Sequence, residues 1–186
     1  TNFDCYVLLD ASSSMNYSSG QVSKLDYARF LAASLAYVVL RQRDSVGLSI
    51  FDSEVRAYLP PRSTMGIILQ IDQLLNNIQP VPRSSIAKQL HDIALMMNRR
   101  SLVVVISDLL SDADDILDGL DHLRFDGHNV VVLHTLDPYE LEFPFKGAWC
   151  FEGLEAEDPL PTQADRIRED YLASLHAWLE TLRNGC

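Results

Sequence analysis

The chain has 186 residues, of which 47% are hydrophobic and 22% are charged, and its formal net charge is −11. This length and composition suit one globular α/β domain and exclude a disordered chain or two ordinary domains. The negative charge argues against nucleic acid or anionic lipid as a partner, because both require a basic surface. It favours divalent cations and basic protein surfaces instead.

The three cysteines, Cys5, Cys150 and Cys186, have neither an even count nor the spacing of metal ligands. Cys5 lies in an apolar run, so a buried free thiol and a reducing compartment, the cytoplasm, are expected. No apolar stretch approaches the ~20 residues of a membrane span. The sequence begins directly before a buried-looking strand, so we expect a fragment of a longer protein. Segments outside this fragment could tether the protein to a membrane.

Short β-rich apolar runs alternate with longer runs of helical spacing along the chain. The predicted strands span 4–10, 45–51, 54–59, 101–107 and 129–136. The predicted helices span 23–41, 67–78, 86–97, 112–124 and 163–183. This alternation predicts a single domain over residues 1–186 with a doubly wound, Rossmann-like α/β fold. Its sheet would be mostly parallel, with one antiparallel edge strand and helices on both faces.

Two details of the pattern concern the connections. The segment 54–59 directly follows a strand through a turn, so the two are predicted to form an antiparallel hairpin. Its edge strand would end before Pro60-Pro61, because proline interrupts a strand. Residues 137–161 are predicted to be irregular, apart from a short strand around Trp149–Phe151.

Oxygen-bearing side chains lie at three places that the fold would bring to one edge of the sheet. The first strand runs into Asp10-Ala11-Ser12-Ser13-Ser14, and the strand 101–107 runs into Asp108. The helix 86–97 is preceded by Ser84 and Ser85. In a doubly wound sheet, ligands bind beyond the carboxyl ends of the strands, so these side chains are expected to meet there.

Hard divalent cations prefer oxygen ligands, and magnesium takes six of them in a nearly octahedral array. Ser12, Ser14 and Ser84 could supply hydroxyls, and Asp10 and Asp108 could supply carboxylates. Because the direct ligands would be largely neutral, the metal would favour a carboxylate from outside as its last ligand. The alternative is an ordinary capping turn, in which Asp and Ser side chains bind the first amides of the next helix.

Three segments, "VLLDASSSM", "SSIAKQL" and "VVVISDLL", resemble the metal-ion-dependent adhesion site of von Willebrand factor A domains. The chain as a whole resembles the bacterial and archaeal domain-of-unknown-function fifty-eight family, whose members carry such a domain. The supporting stretches are "KLDYARFLAASLAYVVLRQRDSVGLSIFD", "LRFDGHNVVVLHTLDPYELEFPF" and "YLASLHAWLETLRNGC".

The resemblance implies that Ser12 and Ser14 bind magnesium or manganese directly. Asp10 and Asp108 would act mainly through bound water or by holding the hydroxyls. Ser84 stands where the superfamily usually has threonine. Its neighbour Ser85 stands where related proteins commonly have an aspartate. The third-loop ligand therefore stays open between Ser84 and Ser85.

The resemblance also implies a role as a scaffold or adaptor that binds an Asp or Glu of a protein partner. Members of the family are associated with MoxR-type AAA+ ATPases. No enzymatic activity and no small-molecule substrate are expected. Candidates for a partner-binding rim are Ser85, Asp137 and Tyr139. The segment 136–145, which carries two of them, is equally compatible with a flap that covers an apolar edge.

The second hypothesis is a magnesium-dependent phosphohydrolase or phosphoacceptor on a similar sheet. Such enzymes need a nucleophilic Asp, a second acidic group two residues on and a lysine near the phosphate. Here Ser12 occupies the second acidic position, and no lysine lies in a site segment. A purely structural domain with an empty site is the third hypothesis.

Two further polar features have structural explanations. The run Asp112, Asp114 and Asp115 is typical of an acidic first turn that complements a helix dipole. His134 would lie near the rim of the metal site, and a histidine satisfied at a strand end is the favoured interpretation over a ligand.

Overall fold

The computed structural model describes residues 3–82, 85–155 and 158–186. The central strands are β1 (Asp4–Asp10), β2 (Ser45–Phe51), β3 (Val55–Arg62), β4 (Leu102–Ser107) and β5 (Asn129–His134). The helices are α1 (Lys24–Arg41), α2 (Ile67–Asn76), α3 (Ile86–Met96), α4 (Ala113–Phe125), α5 (Pro138–Glu142) and α6 (Ala164–Gly185). A two-stranded hairpin of β6 (Ala148–Phe151) and β7 (Leu160–Gln163) precedes α6.

The five central strands form one sheet in the order β3-β2-β1-β4-β5. β1 pairs in parallel with β2 on one side and with β4 on the other, and β4 pairs in parallel with β5. β3 pairs antiparallel with β2 at one edge. The chain leaves β1 toward β2 and returns later on the other side as β4, so the strand order reverses between β1 and β4. The predicted fold class is confirmed.

Helices cover both faces of the sheet because alternate residues of β1 face opposite sides. Val7 and Leu9 pack in a core with residues of α1 and α2. Tyr6 and Leu8 pack in a second core with residues of α3, α4 and α6. Cys5 is a buried free thiol, as predicted, and burial followed by the charge of Asp44 raises its pKa to about 11.

The edge strand β3 corrects one prediction, because it runs through Pro60-Pro61 to Arg62 rather than ending before the prolines. The pairing register shifts between residues 46 and 48 of β2, opposite the two prolines. A bulge on an edge strand tolerates proline, since no further strand needs its missing amide. β3 approaches Gly47 so closely that a Cβ there would lie 2.6 Å from the Leu59 oxygen.

The segment 137–161 corrects a second prediction in part, because it contains a short helix and the start of a second strand besides the predicted one. It contains α5, β6 and the first residues of β7. Asp137 and Glu140 form a capping box around the start of α5, and a proline follows the cap. This Asp-Pro-x-Glu pattern is a helix-start signal that sequence reasoning overlooked. The strand around Trp149–Phe151 is confirmed as β6. β5 ends at His134, two residues earlier than predicted.

The acidic run at the start of α4 has the predicted structural role. The Asp112 carboxylate accepts hydrogen bonds from the backbone amides of Asp114 and Asp115 and so caps the helix. Across the described ranges, no helix combines the length and the apolar character needed to cross a membrane.

Candidate functional site

Asp10 ties the turn after β1 to the end of β4. The parallel register pairs Leu9 with Ile106, which brings Asp10 beside Ser107 where the strand order reverses. One carboxylate oxygen of Asp10 accepts a hydrogen bond from the Ser107 hydroxyl, and the other accepts the Ser12 amide at 2.9 Å. Asp10, Ser12 and Ser107 are all fully buried. The end of the central strand is therefore a preorganised polar cluster.

Ser12 and Ser14 place two hydroxyls side by side above this cluster. Their Oγ atoms lie 3.1 Å apart, and Ser14 is 4% exposed. The capping alternative does not account for these hydroxyls. Ser12 makes no side-chain capping bond to the 3₁₀ turn that follows, and the cap of α1 is Ser23, which accepts from the Asp26 amide.

Asp108 lies fully buried in the turn after β4. Its Oδ1 accepts the Leu110 amide at 3.2 Å, and its Oδ2 accepts from the Lys24 ammonium at 2.9 Å. The turn requires a left-handed backbone at Leu109, with φ at 52°. Strained residues of this kind persist where the surrounding structure holds them, and here the Ser107 hydroxyl accepts the Leu109 amide at 2.9 Å.

Lys24 brings a lysine to the site from α1, although no lysine lies in the predicted site segments. Its side chain is 2% exposed, and its ammonium also lies 2.5 Å from Glu140 of α5. Lys24 follows the cap of α1, ten residues beyond the serine-rich turn, so its inward direction depends on how α1 packs. Nothing in the spacing of the sequence distinguishes it from a solvated lysine.

The carboxylates of the α5 capping box have pKa values shifted in opposite directions. Burial raises the pKa of Glu140, although the contact with Lys24 opposes this shift. Burial alone would also raise the pKa of Asp137, but hydrogen bonds from Ser19 and Tyr139 and the charge of Lys24 hold it below its ordinary value. The capping box is therefore coupled electrostatically to the Lys24–Asp108 pair.

The candidate third-loop and rim residues lie in different surroundings. Ser84 is outside the described residues. Ser85 caps α3, and its hydroxyl accepts the Lys88 amide at 3.3 Å. Asp137 is buried and accepts the Ser19 and Tyr139 amides, whereas Tyr139 is exposed and lines a pocket together with Ser14. Of the three candidates for a rim, Tyr139 is the one on an accessible surface beside the serine pair.

His134 has the predicted structural role of a satisfied strand-end histidine. Its Nε2 lies 2.8 Å from the Asp108 carbonyl, and its ring packs edge-on against Trp178. Burial lowers the pKa of His134, so the ring is neutral near pH 7. Because a carbonyl only accepts hydrogen bonds, the neutral ring must carry its proton on Nε2.

An aromatic pocket of about 410 Å³ adjoins Ser14. Its lining includes the rings of Tyr139, Phe143, Phe145, Phe151 and Tyr171. Glu155, from the loop between β6 and β7, reaches the site through its Oε1, which accepts the Ser14 amide at 2.7 Å. Sequence reasoning missed Glu155, because 141 residues separate it from Ser14 and no local pattern marks it.

Among the residues that the structure describes, no three His, Cys, Asp or Glu side chains gather as a conventional metal-binding group. The predicted set differs from such a group, since it relies on hydroxyls and only two carboxylates. The structure brings Ser12 and Ser14 together beside Asp10 and links Asp10 to β4 through Ser107. It places Asp108 directly after β4, the strand that ends in Ser107.

The fold and this cluster together define a doubly wound α/β domain with a polar site at its strand-order switch point. The chain belongs to the family described as Protein of unknown function DUF58, whose profile matches residues 2–178. No curated protein matches the chain.

The solved structures that share the fold include two bacterial proteins. One is an aerotolerance-related membrane protein from Bacteroides fragilis, solved with multiple mutations to serines. It is 20% identical with a TM-score of 0.64, and the match covers 93% of this chain and 87% of that one. The other is the conserved hypothetical protein BatB from Bacteroides thetaiotaomicron. It is 18% identical with a TM-score of 0.62, and the match covers 93% and 86%.

Proposed function

We propose that the chain is a von Willebrand factor A-type protein-interaction domain, in which magnesium or manganese recruits a carboxylate of a partner protein. The observation that carries this proposal is the pair of hydroxyls on Ser12 and Ser14, 3.1 Å apart at the switch point of the sheet. Oxygens at neighbouring corners of an octahedron lie about 3 Å apart when each is about 2.1 Å from a magnesium ion. The spacing of the pair therefore fits two adjacent ligand positions.

The contacts of the two carboxylates also support an electrophilic metal. Asp10 accepts from Ser12 and Ser107, and Asp108 is paired with Lys24. Carboxylates engaged in this way fix the turns that carry the site and leave less negative charge to neutralise a cation. A bound ion would supply a positive charge that an Asp or Glu of the partner completes.

The proposed role is that of a non-enzymatic adaptor or scaffold. A MoxR-type AAA+ ATPase is the proposed partner, because the chain belongs to the DUF58 family and the resemblance to that family implies such an association. A membrane tether outside these residues is also part of the proposal. The similarity in fold to an aerotolerance-related membrane protein is compatible with it.

The test is a magnesium and manganese titration by calorimetry on the wild-type chain and on Ser12→Ala and Ser14→Ala. Each substitution should weaken metal binding about tenfold or more, because it deletes a direct ligand. Ser13→Ala is the matched control, since it removes a hydroxyl from the same turn but not from the pair, and it should bind as the wild type does. Absence of binding to the wild-type chain would refute the metal site.

A magnesium-dependent phosphohydrolase or phosphoacceptor remains the second candidate, and Lys24 is the observation that favours it. A lysine near the site is what such chemistry requires, although two carboxylates already hold this one. Against it, both oxygens of Asp10 accept hydrogen bonds, and Ser12 stands where the second acid would be needed. Magnesium-dependent turnover of p-nitrophenyl phosphate that Asp10→Asn abolishes would favour the enzyme; we expect none.

A further inference from the structure

The aromatic pocket beside Ser14 is already formed in the structure. Phe143 packs against Phe145 and Tyr171 with ring centroids 5.1 Å and 4.6 Å away, and Phe145 packs edge-on against Phe151 at 5.2 Å. Such contacts hold aromatic rings in fixed orientations. The volume of about 410 Å³ falls in the range of pockets that bind small ligands or side chains. The pocket therefore needs little rearrangement to accept an apolar group.

The mouth of this pocket is partly occupied by the chain itself. Glu155 places its carboxylate on the Ser14 amide at 2.7 Å. Leu154, the preceding residue, also lines the pocket and is 45% exposed, so it does not fill the available space. A carboxylate at the serine turn and an apolar side chain at the pocket are thus supplied by two consecutive residues.

The charge around the pocket restricts what else binds there. Glu140, Glu152 and Glu155 all line it, in a chain whose formal net charge is −11. A partner segment that brings one acidic residue must overcome this field, and basic residues on either side of it would do so.

From these contacts we infer that the surface formed by Ser14 and the aromatic pocket recognises a protein segment in which a large apolar residue directly precedes an acidic one, within basic flanks. The acidic side chain takes the place of Glu155 at the serine turn, and the apolar side chain enters the pocket. Leu154-Glu155 is a resident competitor that the partner displaces. The inference deepens the proposed function. It rests on that function for one contact, the binding of the partner's acidic side chain to a metal ion.

The experiment uses a fluorescent peptide with the sequence Phe-Glu-Gly-Leu-Glu-Ala, that of residues 151–156, and follows its anisotropy with the full 186-residue chain in magnesium buffer. Glu155→Gln removes the resident carboxylate and should bind the peptide about tenfold more tightly than the wild type does. Glu152→Gln is the matched control for charge, because it removes a carboxylate of the same pocket but frees no contact at Ser14, so it should strengthen peptide binding clearly less than Glu155→Gln does.

Two altered peptides separate the parts of the recognition. With Glu155→Gln protein, a peptide with alanine in place of the leucine should bind about tenfold more weakly, the factor expected from the lost apolar burial. A peptide with glutamine in place of the second glutamate should also bind about tenfold more weakly, because a carboxylate accepts stronger hydrogen bonds. Adding lysines at both ends of the parent peptide should strengthen binding at low salt.

Three outcomes would overturn the inference: no detectable peptide binding to Glu155→Gln, equal binding of the leucine and alanine peptides, or equal affinity of the wild type and Glu155→Gln. Parallel magnesium titrations separate these outcomes from failure of the proposed function. If magnesium binds but leucine makes no difference, the pocket inference falls and the metal site stands. If leucine matters in the presence of a chelator and no magnesium binds, the metal site falls and the recognition surface stands.

Discussion

The carboxyl edge of the sheet and the segment from residue 137 to residue 163 are in contact but are held in place in different ways. At the sheet edge, the parallel register of β1 and β4 sets Asp10 beside Ser107, so backbone pairing positions the polar groups. In the segment 137–163, which contains α5 and the β6–β7 hairpin, ring contacts centred on Phe143 and Phe145 supply the order. Lys24 and Glu155 connect the two regions.

The difference shows what each region contributes. Backbone pairing gives the sheet edge a geometry that belongs to the fold, because a doubly wound sheet must bring the ends of β1 and β4 together. Side-chain packing gives the aromatic segment a geometry that belongs to this particular chain. The proposed metal site lies at the first region, and most of the proposed recognition surface lies at the second.

Lys24→Met should have the largest effect, because it breaks the connection between the two regions. It leaves the carboxylates of Asp108 and Glu140 without their buried cation, and such a loss costs about 3–5 kcal/mol. Urea denaturation would measure the free energy of unfolding. Lys88→Met, at an exposed lysine of α3, is the control and should change it by about 0.5 kcal/mol or less. A loss below about 1 kcal/mol for Lys24→Met would contradict a buried ion pair of this importance.

Phe143→Ala should come next and should act on the aromatic segment alone. Removal of a buried phenylalanine ring typically lowers the free energy of unfolding by about 3 kcal/mol, and Phe143 is buried. Because the segment is held by side-chain packing, hydrogen exchange should increase for amides 138–163 and much less for those of β1 and β4. Phe125→Ala, at a ring that is 88% exposed, should leave exchange unchanged. Equal acceleration in β1 and β4 would mean that the two regions unfold as one unit.

Ser107→Ala should produce the reverse pattern at a smaller magnitude. It removes a hydrogen bond to the buried Asp10 carboxylate and so costs about 1–3 kcal/mol. Faster hydrogen exchange is expected for the amides of β1 and β4, and much less change for the amides of the aromatic segment. Ser34→Ala on the exposed side of α1 is the control for loss of a serine hydroxyl. Unaltered exchange in β1 would show that Ser107 does not hold the end of that strand.

Asp137→Asn should have the smallest effect, visible in the pH dependence of stability. Because the pKa of Asp137 is lower in the folded chain than its ordinary value, its ionised form favours folding. That contribution is fully present above the ordinary pKa of about 3.9 and is lost as the pH falls through the folded value. Asparagine keeps a helix cap without the charge. The free energy of unfolding should therefore fall less steeply from pH 5 to pH 3 in Asp137→Asn, and identical slopes would contradict this role.

Much of the fold could be predicted from the sequence because its signals are local. The apolar runs and helical spacings predicted the five strands and five longest helices, with small errors at their ends. The errors arose where a local rule met its exception. Proline ends most strands, but Pro60-Pro61 lie in a bulge at a sheet edge. The segment after β5 had an unnoticed capping box in Asp137 and Glu140.

By itself, the sequence determined the α/β alternation of a doubly wound sheet and the serine-rich turn at the end of its first strand, because the positions and ends of strands follow from periodicity and spacing. The tertiary structure alone decided that Lys24 turns inward to Asp108, that Ser107 binds Asp10, and that Glu155 reaches Ser14. Contacts between residues that are 84, 97 or 141 positions apart produce no periodic pattern in the sequence. It exists only once packing has brought the surfaces together, since hydrogen bonds and ion pairs act over a few ångströms of space.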